Sequence, residues 1–230
     1  ELTQLGKLPR ITSPRRVESG EVMDMDQATR RNLELTQCLN GDRKGSLLSI
    51  IDLTLTGAGA RTLASRLSAP LTDSEKINKR LDAVEYFSAD RTLRERLRNT
   101  LKNCPDLERA LSRLTLHRGG PRDLATIRDG LISAGEIQNI IKGGSLPYLI
   151  SLSLNNLGSH SDLAEKLGSA LSSTLPLYAR DGGIITSGYC DDLDKLRNLR
   201  DESRHLIASL QTKYSTDTQV QNLKIKHNNV

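Results

Sequence analysis

Leucines recur every three or four residues through most of this chain, a spacing that belongs to the α-helix. The longest run is Leu193, Leu196, Leu199, Leu206, Ile207, Leu210 and Tyr214, which mark one face for about six turns. Aromatic residues make up only 3% of the 230 positions, so any core must be built from Leu, Ile, Val and Ala. β-branched residues are modest in number, long alternating stretches are missing, and no repeat of roughly 20 to 50 residues shows. The expected fold class is all-α: an irregular helical bundle with a long protruding helix and only short β segments.

Smaller features punctuate this pattern. Residues 6–20 hold Pro9, Pro14 and Gly20 among polar residues and read as a linker or surface loop. EVMDMD, residues 21–26, alternates and predicts a short strand, and DQATRRNLEL after it a short helix or turn. From Ser46 apolar residues surround a helix on most sides, which predicts a buried helix running until Pro70 stops it. Thr72 and Glu75 have the spacing of a capping box, opening a helix with Ile77, Leu81, Val84 and Phe87 on one face. A helix is expected from about Asp90 to Lys102, and Pro105 and Pro121 are each expected in the first turn of the next two. Residues 143–160 look looser, a helix is expected over 161–173, and Gly182, Gly183 and Gly188 suggest a tight turn with at most a short strand. Asp191 and Asp194 suit the N-terminus of the long helix.

The stretch DLTLTGAGARTLASRL, residues 52–67, invites a phosphate-loop reading. A P-loop requires GxxxxGK[ST], and no lysine follows Gly57 and Gly59 at the required place. A dinucleotide loop requires a third glycine where Thr62 stands. The flanks are helical, so the small residues at 57–60 are expected to let another helix approach closely.

Other chemistry is sparse. Asp191, Asp192 and Asp194 are explained by their place at a helix start, as are Asp106 and Glu108. Cys38, Cys104 and Cys190 are widely spaced and form no CxxC, and His117, His160, His205 and His227 lack the i, i+4 pairing of a helical metal site. No apolar run approaches the ~20 residues of a membrane span. No catalytic, cofactor-binding or metal-binding residue is assigned.

The net charge of +5 is uneven: residues 61–128 hold 15 Lys and Arg against 9 Asp and Glu. Arg94, Arg96, Arg98, Arg109, Arg113 and Arg128 lie on the expected helices, and a solvated helix surface or contact with a polyanion both fit them. With one Phe and no Trp, base stacking is a poor explanation. In NLKIKHNNV, Lys224 and Lys226 alternate with Leu223 and Ile225. That pattern fits an edge strand with outward lysines, or a strand presenting them to phosphates.

Taken together, several strings resemble the core of the MutS family of DNA mismatch-repair proteins, its bacterial branch above all. They are MDMDQATRRNLELTQ, then GSLLSIIDLTLTGAGARTLASRLSAPLTDSEKINKRLDAVEYF, DLERALSRL, GPRDLATIRDGL, DGGIITSGYCDDLDKLRNLRDES and NLKIKHNNV, in that order from about Met23 to Val230. The resemblance implies a linker over 1–22, a helical lever or core domain over 23–214, and the start of a clamp over 215–230. It implies a piece of a DNA-dependent ATPase that carries no ATPase activity itself, ATP and Mg2+ being held elsewhere in the parent. It also implies mismatched double-stranded DNA as partner of the full-length protein, a homodimeric parent, no membrane, and a cytoplasmic, nucleoid-associated place in a bacterium. Lys224 and Lys226 are the candidate DNA-binding residues. The family usually carries a bulkier residue between the threonine and glycine of the TGAGAR stretch, where this chain has Thr56-Gly57-Ala58-Gly59. The alternative is a stand-alone helical scaffold for protein–protein interaction. A small-molecule enzyme has less support.

Overall fold

The computed structural model describes residues 21–220 and 223–225. It is all-α. Two compact units are distinguished: one runs through Gly168 and includes Pro176–Gly182, the other joins Ser169–Leu175 to the residues from Gly183 onward.

In the first unit, helix starts follow short polar side chains that take up free backbone N–H groups. Asp26 accepts from Thr29 N ahead of α1 (Gln27–Asn32), and Ser46 accepts from Ser49 N ahead of α2 (Leu47–Ile51). Thr56 does the same for Gly59 N at α3 (Gly57–Ser68). Asp73 precedes α4 (Ser74–Ala89), Asp90 precedes α5 (Arg91–Asn103) and Asp106 precedes α6 (Leu107–Thr115), each accepting from the following turn. Pro121 is the first residue of α7 (Pro121–Ile141), where its missing N–H costs nothing. Asp123 accepts from Gly120 N at 2.9 Å across that first turn. α8 (Tyr148–Leu157) and α9 (Ser161–Ala170) complete the series, the last two residues of α9 belonging to the second unit.

α7 is the centre of the packing: it lies against α5, α6 and α8, while α4 packs on α5 and α8. α6 and α7 approach each other closely. Ala110 is fully buried, and a Cβ on Gly130 would lie 2.4 Å from Leu107 Cγ, a separation no real side chain tolerates. Beside it the buried Ser133 returns its hydroxyl to Asp129 O at 2.9 Å, and Gln138 crosses to the carbonyls of Leu154 and Gly158.

Several expectations need correction. The single buried helix expected from Ser46 to Pro70 is two helices, separated where Asp52 bonds to Thr54 and Thr56 caps α3. Its apolar residues do not surround a buried cylinder: Leu48 is buried, but Ile50 is 72% exposed and Leu53 73%. The cap of α4 is Asp73, one residue after the expected Thr72, because its carboxylate reaches the N–H groups of both Glu75 and Lys76. Pro105 stands just before the Asp106 cap rather than inside the turn. The loose region 143–160 contains α8, started directly after Pro147. The expected strand over 21–26 is reduced to an isolated bridge, Val22 opposite Leu71, with Met23 N donating to Pro70 O at 2.7 Å.

In the second unit, Leu171 pairs with Ile185 in an antiparallel bridge, flanked by Ser172 N to Ile184 O at 2.8 Å and Thr186 N to Ala170 O at 2.9 Å. Leu171 is buried. From this small platform the chain turns through Gly188, whose φ of +84° suits glycine, into α10 (Asp191–Thr218). At 28 residues α10 is about 42 Å long. It ends at Gln219, a non-glycine in the left-handed region.

Candidate nucleic-acid segment and the ion pairs of the chain

Lys224 lies just beyond the end of α10 and is exposed. Ile225 N donates to Gln211 Oε1 at 3.2 Å, which brings the backbone beside Lys224 back towards α10. Residues 223–225 form no strand. Lys226 lies outside the described residues.

The start of α10 is built from its acidic residues. Asp192 pairs with Lys195 at 3.1 Å, a solvated pair of small energetic weight. Asp194 accepts from Gly188 N at 2.6 Å and pairs with Arg197 at 2.8 Å, and Arg197 also donates to Ile185 O at 2.7 Å. The Gly188 N–H, then the Arg197 guanidinium, hold the Asp194 carboxyl below its usual range. Cys190, the cap residue by position, makes no side-chain cap bond. Further along, Leu196, Leu199, Leu206, Leu210 and Tyr214 are all exposed, Leu206 by 63%. Their gaps of three, seven, four and four residues place them in one stripe.

Most of the arginines singled out from the sequence are engaged with the protein itself. Arg94 donates to the carbonyls of Phe87 and Ser88 in the last turn of α4, and Arg98 places both terminal nitrogens 3.3 Å from Leu53 O in the break between α2 and α3. Arg113 pairs with Asp123, Arg128 with Asp129 and Arg109 with Asp106. Arg96 is exposed. Arg94, Arg98 and Arg113 thus tie neighbouring helix ends together, a use that sequence alone could not distinguish from a basic face.

The glycine stretch has its own ion pair. Arg61 forks onto Asp106 at 2.8 and 2.9 Å and reaches Glu108 at 2.7 Å. Hydrogen bonds from Arg61 lead the causes that pull the Asp106 carboxyl down to about 2. Gly57 leaves room for that carboxylate: an added Cβ would lie 2.8 Å from Asp106 Oδ2. The start of α3 therefore already faces an acidic group, and Gly59 N is taken by Thr56. These residues do not fit a nucleotide phosphate. Nor are they the close helix contact expected from the sequence, since Gly57 and Ala58 are exposed; that contact falls on Gly130. Among the described residues no group of His, Cys, Asp and Glu is arranged to hold a metal ion, and no helix is long and apolar enough to cross a membrane.

The comparisons with known proteins agree with the sequence strings. The family model described as MutS domain III matches residues 28–225. The chain is 50% identical over 99% of its length to the DNA mismatch repair protein MutS of Rhodopseudomonas palustris strain HaA2 and covers 25% of that protein. It is 51% identical over 99% of its length to the protein of the same name from strain BisB18, again covering 25%. Against the MutS of Roseobacter denitrificans it is 46% identical over 100% of its length and covers 26%. The chain thus spans about a quarter of the length of the curated relatives it matches. With a family match across most of its residues and identity sustained from end to end, this all-α chain belongs to the MutS family, as a domain III.

Proposed function

We propose that this chain is the lever of a DNA mismatch-repair ATPase, a helical body coupling duplex DNA held beyond α10 to ATP hydrolysis elsewhere in a longer protein. The observation that carries the reading is the sustained identity to proteins named DNA mismatch repair protein MutS. The shape of α10 supports it. A 28-residue helix satisfies its backbone hydrogen bonds internally and moves as a rod, so a displacement at one end reaches the other.

On this reading residues 1–22 end a preceding region, 23–214 form the lever body and 215–230 begin the clamp. Lys224 and Lys226 meet DNA phosphates. ATP and Mg2+ are bound outside this chain, which performs no catalytic step. Mismatched duplex is the partner of the longer protein, which works as a homodimer in the bacterial cytoplasm, at the nucleoid. The stand-alone scaffold has no observation in its favour and is set aside.

The test is a chimera in which this chain replaces the corresponding quarter of a curated relative, expressed in a bacterium lacking its own MutS. Restoration of a low mutation rate is the expected result. A stable, well-expressed chimera that leaves the mutation rate high would overturn the reading. In the same chimera, Lys224→Ala with Lys226→Ala should reduce the salt slope of duplex binding by about 2, one unit for each lost phosphate contact.

A further inference from the structure

The root of α10 is held in an unusual way. Its cap residue, Cys190, contributes no side-chain bond, and the preceding turn contains Gly188 in a conformation that favours glycine. Such a junction would swivel easily if nothing else restrained it. Two side chains from within the helix reach back instead. Asp194 accepts the Gly188 N–H and Arg197 donates to the Ile185 carbonyl, while the two bond each other at 2.8 Å. Both are half-buried, at 22% exposure for Arg197 and 26% for Asp194, so solvent and salt weaken them somewhat less than a fully exposed pair. The loop they grip is itself fixed, because Ile185 is paired with the buried Leu171 and its neighbours bond to Ala170 and Ser172.

We propose that Asp194 and Arg197 are positioning residues that fix the direction and stiffness of α10 at its root, and so pass a displacement of its far end into the 184–188 loop. This rests on the lever reading above. The polarity of the network is set by its outer partners, a backbone donor at Gly188 and a backbone acceptor at Ile185. An acid must therefore stand at 194 and a multidentate cation at 197, and the two cannot trade places. A simple ion pair would tolerate exchange.

The test uses the full-length chimera and three variants: Arg197→Gln, Arg197→Lys, and the exchange Asp194→Arg with Arg197→Asp. Hydrogen exchange reads the root, and the ratio of ATP hydrolysis with and without mismatched duplex reads the coupling. Arg197→Gln should lower protection of the Gly188 amide and the first turns of α10 by about tenfold. It should also reduce stimulation by duplex about fivefold, leaving the rate without DNA unchanged. Arg197→Lys, which keeps the charge and loses the fork, should fall between. The exchange should be no better than Arg197→Gln in either measurement. Full recovery by the exchange, or unchanged protection in Arg197→Gln, would overturn the inference. So would lost protection with stimulation intact, in which case the lever reading survives. If the unsubstituted chimera shows no response to duplex, the lever reading fails, and this inference with it.

Discussion

α7 and α10 are the two longest helices described, at 21 and 28 residues, and both carry leucines and isoleucines at helical spacing. Their fates differ. α7 is wedged among α5, α6 and α8, with Gly130 and Ser133 buried and Leu107 pressed against the bare glycine. α10 leaves its apolar stripe in water after a root secured by polar side chains. The same periodicity thus marks a face without saying what covers it. Gly130 and Ala110 let α6 and α7 approach closely, whereas the stripe of α10 is made of large side chains with nothing over them among the described residues.

Substituting Gly130 breaks the α7 side of this comparison most severely. Gly130→Leu should prevent folding, and Gly130→Ala should cost about 1–3 kcal/mol by overpacking against Leu107, read as a lower urea midpoint. Pairing Gly130→Ala with Leu107→Ala should recover part of that loss, because the clash is with the Leu107 side chain.

Next comes the joint between α3 and α6. Asp106→Ala removes a helix cap and the Arg61 fork together, and the missing cap alone should cost about 1–2 kcal/mol. The effect depends on pH in a defined window. The Asp106 carboxyl is lowered in the folded chain from an ordinary 3.8 to about 2. Its contribution is therefore present in full above the unfolded value and is lost as pH falls from about 3.8 through about 2. Urea midpoints of the unsubstituted chain and Asp106→Asn should differ near neutrality and converge across that window.

Gly57→Ala sharpens the contrast between two glycines. An added methyl would crowd the Asp106 carboxylate, whereas at Gly130 it would meet a packed leucine. A carboxylate at the end of a short side chain can give way, and alanine favours helix by about 1 kcal/mol over glycine in a helix interior. The net change should be within about 1 kcal/mol, against the larger loss at Gly130.

The smallest expected effect on folding is on α10. Leu199→Ser, Leu206→Ser and Leu210→Ser should each alter stability by about 0.5 kcal/mol or less, since these side chains are already exposed. They should change association instead. The chain should show concentration-dependent sedimentation through this stripe, and the triple variant should remain monomeric. A strictly monomeric profile of the unsubstituted chain at high concentration would count against a sticky stripe.

How much of this could be read from the sequence depends on whether the signal was local. Asp90 before α5, Pro121 opening α7 and the leucines of α10 announce themselves within a few residues, and the structure follows them. The break between α2 and α3 did not, because an apolar run hides a cap at Thr56 that becomes visible only once Asp52 and Thr54 turn the chain. α8 was missed for a related reason: the glycines and proline before it read as loop, and the loop is short. Gly130 is silent in sequence, since only the arrival of Leu107 from α6 gives it meaning. The root network was half legible: Asp194 suits a helix start by its place in the sequence, but nothing local marks Arg197, whose acceptor at Ile185 lies twelve residues back. Lys224 and Lys226 came from alternation together with the family resemblance, and the strand that alternation suggested is missing at the described residues 223–225.

The exposed stripe of α10 also decides what a mutational scan of this domain would report. Scored by the folding of the isolated chain, substitutions at Leu199, Leu206 and Leu210 would register as nearly silent. Scored by mutation rate in a cell carrying the full-length protein, the same positions would rank among the sensitive ones wherever a partner surface needs them. Disagreement between the two maps would show, residue by residue, which of these side chains answer to something other than folding.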